Sequence, residues 1–136
     1  MLIKSETQEG LEYICYFLGY IIIADGKIAM QETLLINEFI DANGLGIEIK
    51  EELVKILASN SSKISLDEVV LKLSQLPVFI IEQALIAGLL IGYGDGELDE
   101  KEEEILLRLV LATRFDKFKY EKLKESAASQ GKHLYS

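Results

Sequence analysis

The chain has one cysteine, one proline, one histidine and no tryptophan. Each shortage narrows what it can be. A lone Cys15 excludes an internal disulfide framework. One proline, Pro77, in a chain that is 49% apolar argues against disorder and for one packed domain over residues 1–136. The apolar runs are also short. Tyr13 to Ala24 and Ala84 to Tyr93 fall below the roughly 20 residues that span a bilayer, so they read as buried helices and no membrane embedding is expected. Met1 to Gly10 carries two Glu and no basic cluster, so no signal peptide is expected and the cytoplasm is the default location.

Positive charge is scarce as well. The net charge is −9, and Asp95 to Glu104 carries seven acids against one Lys, which would repel a polyanion and disfavours nucleic acid as a partner. Arg108 to Lys132 reverses the balance with seven basic residues and three acids, which reads first as a solvated helix face.

What is present is helical periodicity throughout, with no strand pattern competing. From Ser5, the residues Leu11, Ile14, Cys15, Leu18, Ile21 and Ile22 form one buried stripe. A second helix spans about Met30 to Ala42 with Leu35, Ile36, Phe39 and Ile40 inward, stopped by Asn43-Gly44. A third covers Glu48 to Ala58. Ser65-Leu-Asp-Glu68 has the spacing of a capping box opening a fourth near Leu66, and Pro77 suits the first turn of a fifth that runs to about Gly92. Glu100 to Thr113 is apolar on nearly every side beyond Ile105 and is expected to be buried. Asp116 to Ala127 forms a seventh helix before a polar tail.

A shift of 70 residues lays Asp25-Gly26-x-Ile28-x-x-x-Glu32 over Asp95-Gly96-x-Leu98-x-x-x-Glu102, and Ile36, Phe39 and Ile40 over Leu106, Leu109 and Val110. The expected fold is therefore all-α, about seven helices in a pseudo-two-fold bundle from an internal duplication, with copies at about 11–43 and 81–113. Glu32 and Glu102 each lie at the top of an apolar stripe and point inward, where a carboxylate needs donors or a cation. Two readings meet that need. Each Glu is an N3 residue capping its own helix, with Asp25 and Asp95 closing turns and Asp99-x-x-Glu102 forming a capping box. Alternatively the motifs meet across the pseudo-two-fold axis, and Asp25, Glu32, Asp95, Asp99 and Glu102 make an oxygen-rich site for a divalent cation such as Ca²⁺, Mg²⁺ or Mn²⁺. A self-contained EF-hand is excluded. Its first and third loop positions would be Ile21 and Ile23, or Ile91 and Tyr93, which lack suitable oxygens.

The duplicated motif, Ala24-Asp25-Gly26-Lys27-Ile28 to Glu32 and Gly94-Asp95-Gly96-Glu97-Leu98 to Glu102, resembles the TerB-like family, which groups tellurite-resistance TerB proteins with the helical domain of DjlA-type co-chaperones. The resemblance implies an all-helical fold, acidic motif residues that take a metal, and a role in cytoplasmic stress response or as an interaction module. Ala29 stands where the second copy has Asp99, so the first half-site has one carboxylate fewer.

No catalytic constellation emerges. His133 falls in the polar tail and Cys15 on an apolar stripe, no His can join the carboxylates to favour zinc, and the glycines follow helices rather than strands. The chain is expected to be a non-enzymatic module that binds a divalent cation, or a metal-free interaction domain whose partners are other proteins or a second copy of itself.

Overall fold

The computed structural model describes residues 6–24, 36–38, 40–42, 44–57, 64–93 and 97–135. Among them every regular element is helical: α1 Glu6–Ile23, α2 at residues 36–38 and 40–42, α3 Ile47–Leu57, α4 Leu66–Ser74, α5 Val78–Gly92, α6 Glu100–Thr113 and α7 Lys117–Tyr135. No described residue is in a strand, and no described helix is long and apolar enough to cross a membrane.

α1 and α5 form the centre. The side chains of Ile14, Cys15, Phe17, Leu18, Ile21 and Ile22 on α1 are buried, as the periodicity required. In α5 only Glu82 and Gln83 are polar, and burial on several sides follows: α1, α4, α6 and α7 all pack on it. Two glycines bring the central helices together. A Cβ on Gly10 would lie 2.7 Å from Ile80, and one on Gly88 would lie 2.7 Å from Ile21 and 2.8 Å from Leu106. The early part of α1 thus meets the early part of α5, and late meets late, so the helices run parallel. Positions 10 and 80 are related by the 70-residue shift, which places the pseudo-two-fold axis between the two helices.

The repeat is visible beyond its motif. Among described residues the two with left-handed backbone are Gly44 (φ 66°) and Arg114 (φ 56°), 70 apart. Each closes a helix in the same way. Leu45 N–H donates to Ile40 O at 3.0 Å and Gly44 N–H to Asp41 O at 3.2 Å; Phe115 N–H donates to Val110 O at 3.1 Å and Arg114 N–H to Leu111 O at 3.4 Å. These are paired Schellman caps, each followed by a buried apolar residue, Leu45 or Phe115. The next helices, α3 and α7, start at Ile47 and Lys117, again 70 apart, and pack on α1 and α5 respectively. Each unit therefore contains three helices, and α4, which contacts α1, α5 and α6, links them.

Three expectations need correction. α6 is not buried all round, because Leu107 and Leu111 face solvent. α7 does not stop at Ala127 but continues through the polar tail to Tyr135, carrying His133 within it. Ala128, Gln130 and Lys132 are good helix formers, so the polarity of this segment does not by itself end the helix. Pro77 is the N-cap of α5, one residue before its first turn. The Ser65 cap of α4 does form, with Ser65 Oγ accepting from Glu68 N–H at 3.1 Å.

Gly88→Val should destabilise the fold by about 1–3 kcal/mol, since the added carbons collide with buried Ile21 and Leu106, which have nowhere to move. Arg114→Gly should do the opposite, gaining roughly 0.5–1 kcal/mol by relieving the left-handed residue. Urea denaturation of both variants against the parent checks the signs.

Candidate functional site

Of the five carboxylates singled out by the motif, Asp25, Glu32 and Asp95 lie outside the described residues. Asp99 and Glu102 are described, and α6 brings them together. Asp99 is the N-cap, with its Oδ2 accepting from Lys101 N–H at 2.9 Å, while Glu102 Oε1 accepts from Asp99 N–H at 3.0 Å. The expected capping box is therefore real, and it satisfies donors that the first turn of any helix leaves open.

Capping does not by itself bury a carboxylate. At the same position in α4, Glu68 is exposed, whereas Glu102 is only 4% exposed. The cause is the close approach of α5. A Cβ on Gly92 would run into Leu98 Cδ1 and lie 4.0 Å from Glu102 Oε1, so glycine there lets Leu98 plug the end of α5 and Glu102 settle beside it. Leu98 is the apolar residue in the middle of the motif, and its seat explains why the motif requires one.

The end of α1 also lies beside α6. Ala24, which directly precedes Asp25, lines a cleft of about 570 Å³ with Lys101, Glu104, Ile105 and Arg108 of α6. Because α1 and α5 run parallel, they end on the same side of the bundle, and the chain enters both motifs there. Among the described residues no group of three His, Cys, Asp or Glu is arranged to hold a metal ion.

A second polar cluster was not anticipated from sequence. The Tyr120 hydroxyl donates to Glu103 Oε2 at 3.2 Å, and Lys124 Nζ lies 2.6 Å from the same oxygen. Burial, and next the charge of Glu103, holds the Tyr120 phenol well above its ordinary range, while the hydrogen bond to Glu103 raises Lys124. The three residues fasten α7 to α6. The available signal was the spacing of Tyr120 and Lys124, one helical turn apart.

Cys15 is fully buried. Removal from water, and next the Glu12 carboxylate, push its thiol up to about 12, the opposite of an activated nucleophile. Tyr16 is likewise pushed up to about 12 by burial, with Glu12 and Glu52 adding to it. No family model, curated protein or solved structure matches the chain.

Because these acids are weaker in the folded state, the stability they contribute is complete below their ordinary values near 9 and 10 and drains away as pH rises towards 12. Denaturation midpoints should hold at neutral pH and fall from about pH 9 upward. Native protein at pH 8 should leave a thiol reagent such as DTNB unreacted, and one thiol per chain should appear on unfolding. Rapid native labelling would contradict the burial of Cys15.

Proposed function

We propose that the chain is a non-enzymatic, TerB-like helical module that serves a cytoplasmic stress-response assembly by binding a divalent cation between its two acidic motifs. The observation that carries this reading is that α1 and α5, the helices leading into the two motifs, run parallel and end on the same side of the bundle. Ala24, next to Asp25, lines a cleft with Lys101, Glu104, Ile105 and Arg108 of α6, the helix that Asp99 caps and whose first turn carries Glu102. The burial of Glu102 adds support, because a carboxylate removed from water gains most from positive charge nearby. Carboxylate oxygens in that number suit a hard ion such as Ca²⁺, Mg²⁺ or Mn²⁺.

A metal-free protein-interaction domain is the second reading. It is favoured by the reciprocal bonds of Asp99 and Glu102, which already give both residues a structural task.

Elemental analysis of protein purified without chelator, with thermal melts in EDTA and in excess Ca²⁺, Mg²⁺ or Mn²⁺, separates the two. A shared site predicts cation-dependent stabilisation of about 2.7 kcal/mol at one hundred times the Kd. Glu102→Gln should abolish that response while leaving the metal-free form equally stable or more so. Asp25→Asn, in the other copy, should abolish it too. If added cation stabilises neither the parent nor Glu102→Gln, and the latter loses roughly 0.3–1 kcal/mol of helix-dipole interaction, the motif is a cap and the interaction-domain reading stands.

A further inference from the structure

α6 presents a second pattern on the side turned away from the core. Glu100, Glu104, Leu107, Leu111 and Arg114 follow one another at intervals of four, three, four and three residues, and all are exposed. That spacing is the seam along which two helices pack side by side. Leu107 is 38% and Leu111 65% exposed, so the middle of the seam is apolar and open to water. Its ends carry opposite charges. Among the described residues Glu100, Glu104 and Arg114 form no ion pair, while neighbouring Arg108 is engaged by Asp67.

The backbone at Arg114 makes the same point independently. Its left-handed conformation is occupied by glycine at the equivalent position 44, yet at 114 the chain keeps a long cationic side chain there, at a cost of about 1 kcal/mol. Capping would be better served by glycine. The result is an exposed cation at the C-terminal end of the seam.

We propose that the outer face of α6 is a self-association surface on which a second copy docks, its α6 antiparallel to the first across a two-fold axis. Leu107 of each copy packs against Leu111 of the other, and Glu104 of each meets Arg114 of the other. Only the antiparallel arrangement matches charges; a parallel one stacks acid on acid and base on base. The order acid, apolar, basic along one helix is complementary to itself when reversed, and a two-fold contact of this kind closes at two copies. An anionic lipid surface would be repelled by the acidic half of the same face.

A helix of 14 residues is about 21 Å long, so two of them bury less than the roughly 1,600 Å² of a standard interface, and the dimer is weak and salt-sensitive. Sedimentation equilibrium of the full chain in EDTA, from about 10 µM to about 1 mM and at low and high salt, should show a reversible monomer–dimer equilibrium that weakens with salt. EDTA keeps the outcome separate from any cation site. Leu111→Glu should abolish association with helicity and melting temperature unchanged. Glu104→Arg and Arg114→Glu should each weaken it about tenfold, and the double exchange should restore it to within about threefold. Arg114→Gly should stabilise the monomer yet weaken the dimer, a split that a purely structural arginine would not produce. A chain that stays monomeric at low salt, association indifferent to Leu111→Glu, or a double exchange that restores nothing would each overturn the proposal.

Discussion

The arrangement rests on the close parallel contact of α1 and α5. Two helices can approach this tightly only where one of them lacks a side chain, and Gly10 and Gly88 provide the gaps for Ile80 and for Phe17 and Ile21. With that contact fixed, α1 and α5 end on the same side of the bundle, both Schellman caps follow from the shared repeat, and α3 and α7 take corresponding places on α1 and α5. α4 then spans the halves, and the Asp67–Arg108 pair ties it to α6.

The second motif shows how one short stretch does several things at once. Leu98 plugs the end of α5, Asp99 receives the first turn of α6, and Glu102 returns a hydrogen bond to Asp99 while sitting at the edge of the core. A helix start is the best place in the fold for such a carboxylate, since the open N–H groups and the dipole both favour negative charge. The acidic density of Asp95 to Glu104 thus has a local electrostatic basis. The opposite end of α6 is closed by Arg114, so the helix carries charges of the sign that its dipole favours at both ends.

Much of this was legible from residue spacing. Apolar periodicity placed the buried stripe of α1 and the bounds of α6, and the Asp99-x-x-Glu102 spacing marked the cap. Position 44 was recognised as a left-handed stop because glycine announces it; position 114 was not, because arginine does not. Leu107 and Leu111 were placed in the core because an apolar run interrupted only by Arg108 carries little mark of which members face water. The end of α7 was missed for the converse reason, its polar residues being equally suited to a loop or to an exposed helix. The one-turn spacing of Tyr120 and Lys124 set those two on one face of α7, but their meeting with Glu103 depends on how α7 lies against α6, a tertiary relation. Asp25, Glu32 and Asp95 lie outside the described residues, and the geometry of the motif is that of Leu98, Asp99 and Glu102.

The glycines at the axis have also made the two halves unlike. At the related positions 10 and 80 the first half is small and the second large; at 18 and 88 the order is reversed, with buried Leu18 answering Gly88. Two first halves set face to face would crowd at one level and leave a void at the other, and two second halves would do the same with the levels exchanged. Duplicated proteins often begin as pairs of identical subunits, and complementary divergence of this kind removes the way back: each half now recognises its sibling and rejects its twin, so the halves work only as a matched set.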